Sequence, residues 1–285
     1  MKILITGSNG QVGSDLVQSV RASGEVSDFL ATSRASLDFT DRSEVIKVVG
    51  NFSPSVIIHC GAMTNVDGCE DDTDGAFLVN AIGTRNIKHA ARKVGAKVVY
   101  LSSDYVFDGS ASEPINEWSK TNPVSVYGAS KLAGETELES SDLIVRTSWV
   151  MGFNGKNILK TIINLAHRDG IVSFVDDQFG SPTVVSDLVR TLLALIQSDQ
   201  SGVFHISNAG STSWYEFTQF VFHHLGYDVG RVLPISSSEL DASRKAKRPS
   251  YSVLDNCALR LGGYSPMPNW QQSVAKLCDE LAAAR

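Results

Sequence analysis

The stretch Gly7-Ser8-Asn9-Gly10-Gln11-Val12-Gly13 constrains this chain more than any other. It follows a short apolar run, residues 2–6, and opens a segment, 11–23, in which Val12, Leu16 and Val20 recur at helical spacing. A buried strand therefore turns directly into an amphipathic helix. Each glycine of the turn has its own reason. Gly7 permits the backbone conformation of a tight strand-to-helix turn. Gly10 carries no side chain, so an anion can approach the backbone, and Gly13 lets the helix lie close to the strand. The start of the helix then offers free N–H groups and partial positive charge. In this strand–turn–helix setting, G-x-x-G-x-x-G predicts that Gly7, Gly10 and Gly13 hold the pyrophosphate of a dinucleotide.

The following segments repeat the alternation. Apolar runs at 29–33, 55–60, 97–102 and 142–148 read as strands, and 42–51, 74–94 and 124–139 as helices. Asp41 is the expected N-cap of the second helix, and the third is expected to break near Gly83. Continuous apolar strands separated by amphipathic helices predict an α/β fold, a doubly wound parallel sheet covered on both faces. Beyond residue 150 the pattern is mixed, with helices expected at 157–168, 185–197 and 214–225 and strands at 203–206 and 232–235. Residues 236–250 read as a loop with one short turn. The expected division is a dinucleotide-binding domain, 1–150, completed by part of 170–206, and a smaller mixed α/β lobe drawn mainly from 151–285.

Composition excludes several classes. With 285 residues, 42% hydrophobic and 20% charged, the chain is long enough for one large α/β domain with a smaller partner. A net charge of −6 argues against nucleic acid as a partner through a general basic surface. Cys60, Cys69, Cys257 and Cys278 form no C-x-x-C pair and no zinc-spaced cluster, so isolated thiols and no metal are expected. The apolar start, residues 1–5, is too short for a signal peptide, and no apolar run approaches the ~20 residues of a membrane span. The cytoplasm is the expected compartment. The oligomeric state, monomer or homodimer, stays open.

The second strand ends Ala31-Thr32-Ser33-Arg34, where NAD binders usually carry an acid. Arg34 can instead pair with a 2′-phosphate, so NADPH is expected over NADH, which remains possible. Asp38 is placed to hydrogen-bond near the adenine.

Chemistry is suggested further along. Of the seven tyrosines, only Tyr127 has a lysine four residues on, Lys131, on the same face of a helix. That helix follows the strand whose carboxyl end carries Ser103, and in a doubly wound sheet ligands sit at the carboxyl ends of strands. Reducing a ketone needs hydride at carbon and a proton at oxygen. Tyr127 can give the proton, the Lys131 ammonium can lower the tyrosine pKa and hold the nicotinamide ribose, and Ser103 can donate to the carbonyl oxygen. His59, at the end of the third strand, reads as a core histidine.

These segments resemble the extended short-chain dehydrogenase/reductase superfamily and, within it, the dTDP-4-dehydrorhamnose reductase family. The turn and Tyr127-x-x-x-Lys131 are common to the superfamily. Ser103-Asp104-Tyr105-Val106-Phe107-Asp108-Gly109, Arg146-Thr147-Ser148-Trp149-Val150 and Asp177-Gln178-Phe179-Gly180-Ser181-Pro182-Thr183 are more specific. The resemblance implies that Gly10, Gln11 and Val12 contact the pyrophosphate, with Asn9 in the same cofactor-binding set, that Asp38 and Phe39 lie at the adenine, and that Ala62, Met63 and Thr64 line the cofactor. It implies that Ser103, Tyr127 and Lys131 are catalytic, and that Asp104 and Trp149 contact a nucleotide-sugar substrate. Gln178 can hydrogen-bond the sugar or serve a turn, and Arg248 can meet the sugar-nucleotide diphosphate or be a solvated loop residue. Reduction of a 4-keto-6-deoxy sugar on dTDP by NADPH is the implied reaction. Another keto sugar nucleotide, an epimerisation with bound NAD, or a cofactor-binding regulatory subunit are the alternatives.

Overall fold

The glycine-rich turn leaves the carboxyl end of β1 (Lys2–Thr6) and enters α1 (Gln11–Ser23). A computed structural model describes the whole chain except Glu25, Ser27, Asp241, Ala242, Ser243 and Arg285. In chain order there follow β2 (Asp28–Thr32), α2 (Arg42–Phe52), β3 (Val56–His59), α3 (Gly83–Val94), β4 (Lys97–Ser103), α4 (Val126–Glu135), β5 (Leu143–Thr147), α5 (Val185–Gln197) and β6 (Gly202–His205). The six strands form one parallel sheet in the order β6-β5-β4-β3-β1-β2. The order reverses between β1 and β3, the place where a doubly wound sheet opens a crevice for ligand.

Both faces are covered, which is why the strands read as unbroken apolar runs. Ile3 and Ile5 of β1 pack with Ile58, Val99 and Val145 against Leu16 and Val20 of α1 and Leu188 and Leu192 of α5. Leu4, between them in sequence, points the other way and packs with Ile57 and Val98 against Val45 and Val49 of α2 and Ile87 of α3. Each fully buried Ile or Leu here contributes about 1.5–3 kcal/mol relative to exposure. Asp41 caps α2 as its position predicts, accepting from the amides of Ser43 and Glu44.

Two helices differ from the periodic pattern. The break expected near Gly83 lies just before it: Thr73–Phe77 is a short α-helix, Leu78–Ile82 a π-helical turn, and only then does α3 begin. The π turn aims the Asn80 amide inward, where it holds the Met63 backbone through both its N–H (2.8 Å) and its carbonyl (3.1 Å), and donates to Ser130 Oγ at 2.9 Å. Gly83 itself makes room, since a Cβ there would lie 2.5 Å from the Phe39 ring. The helix expected at 124–139 ends at Glu135. The chain turns there because the buried Asp142 carboxylate accepts from the amides of Glu139 and Val98, both at 2.9 Å, and pairs with the Lys88 ammonium at 2.7 Å.

The remaining residues build the lobe. Helices Ile158–Ala166, Trp214–His224 and Trp270–Ala283 enclose a second core containing Leu159, Ile162, Phe217, Phe222 and Leu277. Val172–Val175 and Val232–Ile235 pair in parallel, and the described part of 236–250 holds one short helix, Ser237–Leu240. Among the described residues, no helix is long and apolar enough to cross a membrane.

Candidate active site

The turn is built as its glycines require. Gly7 has φ +66°, and a Cβ on it would lie 2.7 Å from the Gly61 amide nitrogen. A Cβ on Gly13 would overlap the Gly7 carbonyl oxygen. Gly10 differs, because a Cβ there would approach only the Gly7 oxygen, at 3.2 Å, and otherwise point into open space. That space is a cleft of about 650 Å³ at the carboxyl ends of β1, β3, β4 and β5. Helix α1 starts at Gly10 with no side-chain cap and no acidic residue in its first turn. Its free N–H groups and the partial charge of the helix start therefore face the cleft with no protein partner among the described residues, as a pyrophosphate requires. Gln11 faces the lobe instead, its Oε1 accepting from the Gly152 amide (3.2 Å) and from Asn157 Nδ2 (3.1 Å).

Gly7, Asn9, Gly10, Gln11, Val12 and Gly13 all line the cleft, with Ala62, Thr64, Ser103, Asp104, Tyr127, Lys131 and Trp149. The candidate residues Met63, Phe39, Arg34, Asp38, Gln178 and Arg248 lie outside that lining. Met63 is held by Asn80 as described. Phe39 is wedged between Gly61 and Gly83, its ring edge-on to His59 at 4.9 Å, so it buttresses the wall of the cleft from behind. Arg34 is exposed beyond the end of β2. Asp38 accepts from the Thr40 amide (3.0 Å) and hydroxyl (2.7 Å), contacts that hold its carboxyl below the usual range. Gln178 is buried and donates to Ser237 Oγ at 2.8 Å. Arg248 is no solvated loop residue: it forms a two-pronged pair with Asp67, at 2.6 and 3.1 Å, which pushes the aspartate down to about 2.

At the other end of the cleft, β4 runs out at Ser103. The Ser103 hydroxyl accepts from the Tyr105 amide at 3.2 Å and donates to Asp104 Oδ1 at 3.0 Å. Ser252 donates to the second Asp104 oxygen at 2.6 Å, yet burial outweighs these bonds and raises the carboxyl to about 6. Tyr127 and Lys131 come from the first two turns of α4, which Ser125 caps through the Gly128 amide at 3.1 Å. The Tyr127 ring meets Tyr105 edge-on at 5.4 Å. The Lys131 ammonium lies 4.0 Å from the centroid of the Tyr100 ring, and the lysine is only 2% exposed.

The electrostatics correct the simple picture of a lysine that acidifies its tyrosine. Burial raises the Tyr127 phenol, with the Ser103 hydrogen bond opposing it. Burial also lowers Lys131 from 10.5 to about 7, opposed by the carboxylate of Glu135. The phenol therefore rests protonated, the form that can give a proton. Between pH 7 and 10.5 the unfolded chain keeps a proton that folded Lys131 has shed. Stability contributed through this group must then rise with pH across that window, the cost of the buried ammonium being fully present below it. We expect the difference in urea midpoint between wild type and Lys131→Met, both free of dinucleotide, to grow in favour of wild type from pH 7 to 10. A flat difference would contradict the assignment.

Two lining residues, Trp214 and Lys156, carried no signal in the sequence. Trp149, with φ +44°, stacks on Trp214 at 3.5 Å and 8°, and its indole lies against the backbone of Gly180. One face of Trp149 is thus already taken, and Trp214 shares the cleft wall. Tyr105 and Lys156 line it too. Trp214 and Lys156 come from the lobe, and no spacing in the chain links them to the turn.

The family model described as RmlD substrate binding domain matches residues 1–283. A dTDP-4-dehydrorhamnose reductase of Bacillus anthracis, solved in complex with NADP, superposes with a TM-score of 0.93 and 41% identity, covering 98% of this chain and 99% of that one. The dTDP-4-dehydrorhamnose reductase of Mycobacterium tuberculosis is 38% identical over 283 residues, 96% of this chain and 91% of the relative. A dTDP-4-keto-6-deoxy-D-glucose reductase of Streptomyces niveus is 37% identical over 277 residues, 96% and 95% of the two chains. Turn, cleft and whole-length likeness agree, and the chain belongs to the RmlD substrate binding domain family, alongside the dTDP-4-dehydrorhamnose reductases.

Proposed function

We propose that this chain is an NADPH-dependent reductase that converts the 4-keto group of dTDP-4-dehydro-6-deoxy-L-mannose to the alcohol of dTDP-L-rhamnose. The observation that carries the reading is the meeting of an uncapped, glycine-lined helix start with Ser103, Tyr127 and Lys131 in one cleft. The NADP complex of the B. anthracis relative supports the choice of cofactor. Residues 1–150, with α5 and β6, supply the dinucleotide half, and the rest of 151–285 supplies the sugar-nucleotide lobe.

When bound, NADPH supplies the hydride that reaches the carbonyl carbon. The chain's own residues handle the oxygen. As negative charge develops there, Ser103 turns its one hydroxyl proton from Asp104 to that oxygen, and Tyr127, resting as the phenol, gives it a proton. The Lys131 ammonium stabilises the phenolate left behind, which takes its proton back from solvent before the next turnover. Asp104, raised to about 6 by burial, accepts from Ser103 until the substrate oxygen takes that bond. Trp149 and Trp214 form the aromatic wall for the sugar nucleotide.

The test is NADPH oxidation with dTDP-4-keto-6-deoxy-L-mannose, with the C4 configuration of the product read by NMR. The rhamno product is expected. Turnover only with dTDP-4-keto-6-deoxy-D-glucose, the sugar in the name of the S. niveus relative, would replace the substrate and keep the chemistry.

A further inference from the structure

Residues 152–157 bring the lobe onto the glycine-rich turn. Gln11 Oε1 accepts from the Gly152 amide and from Asn157 Nδ2. Asn157 also donates to the Gly152 carbonyl at 2.8 Å and caps the helix Ile158–Ala166 through the Lys160 amide. The Lys160 ammonium closes the loop by donating to the carbonyls of Phe153 (2.6 Å) and Gly155 (2.9 Å). Gly155, at φ +72°, sits so close to Gln11 that a Cβ there would come within 2.9 Å of its Cγ. The loop is therefore pinned to the turn at both ends and braced from below.

The one cationic residue of this loop that the bracing does not use is Lys156. It is exposed, lines the cleft beside Gly10, Gln11 and Val12, and makes no ion pair among the described residues. The ammonium of Lys131, the other lysine of the lining, lies deep at the reacting end over Tyr100. The only acidic residue in the lining, Asp104, is hydrogen-bonded to Ser103 and Ser252. A dianion at the start of α1 thus shares the cleft with a lysine that neither the bracing nor the reacting end uses.

We propose that Lys156 is the countercharge of the cofactor pyrophosphate, closing from the lobe a site that the turn opens from the sheet. The proposal rests on the reductase reading. It makes dinucleotide binding a contact between the two lobes, through charge-assisted hydrogen bonds that the turn's amides alone do not provide.

The test is the Kd of NADPH and of NADH, measured by calorimetry for wild type, Lys156→Met, Lys156→Arg and Arg34→Ala, with the Kd of dTDP alongside. Lys156→Met is expected to weaken NADPH and NADH by the same factor, about tenfold, and to reduce the salt dependence of both. Lys156→Arg should retain most of the affinity, and dTDP binding should not change. Arg34→Ala, by contrast, should weaken NADPH alone. A Lys156→Met loss confined to NADPH would transfer the lysine to the 2′-phosphate and overturn the proposal. A loss confined to dTDP would transfer it to the substrate diphosphate, and unchanged affinities for all three would leave it no role; either result overturns the proposal. If Lys156→Met does not fold, Lys156→Gln carries the same comparison. Wild type that binds neither dinucleotide would overturn the reductase reading itself, a failure distinct from the others.

Discussion

Replacing Tyr127 by phenylalanine should lower kcat by about 10²–10⁴-fold while leaving the Kd of NADPH nearly unchanged. The phenol is the proton source, and burial keeps it protonated at neutral pH. Its ring also meets Tyr105 edge-on, so phenylalanine preserves the packing that alanine would lose. Ser103 keeps its bond to Asp104 when the tyrosine hydroxyl is gone, so no buried polar group is orphaned there. Steady-state rates paired with calorimetric Kd values separate the two effects. Turnover within a few-fold of wild type would remove Tyr127 from the proton transfer.

The second large effect is one of stability. Arg146 on β5 is buried and meets Glu135 through two hydrogen bonds, 2.9 and 2.7 Å. Ser102 donates to the same carboxylate at 2.5 Å. Arg146→Met removes the cation and strands a carboxylate that is 8% exposed. The expected loss is about 3–5 kcal/mol, read from urea denaturation. Adding Glu135→Leu to Arg146→Met should recover most of it, because neither buried charge then remains. A loss below about 1 kcal/mol for the single variant would mean that water reaches the pair. The pair also lies one helical turn beyond Lys131, where Glu135 opposes the desolvation of that ammonium.

The sheet and its parallel strands were legible because burial on both faces leaves continuous apolar runs with helices between them. The glycine turn and the pair Tyr127 and Lys131 were legible because each lies within one local element, where spacing fixes geometry. What spacing could not show is what the fold brings together over long separations. Phe39 carries no sign that Gly61 and Gly83 will leave gaps for its ring. Arg248 reads as a diphosphate contact or a solvated cation until Asp67, 181 residues earlier, arrives beside it. Trp214 stands at a helix start capped by Ser213 in a capping box, and that local pattern explains its helix but not its contact with Trp149. The rise of the Tyr127 phenol was hidden for the same reason: a neighbour in sequence was visible and the depth of burial was not.

Strand β6 joins the sheet only after the chain has built part of the lobe, since residues 202–205 pair with β5. The two halves are therefore interlocked rather than strung in series. A fragment stopping near residue 150 would leave β5, with Leu143 and Val145 fully buried in the intact protein, as a bare sheet edge. During synthesis the same edge waits about fifty residues for its partner. The chain thus carries its own aggregation hazard through that interval, and a shuffled or split version of this protein has to keep 185–205 with the first half.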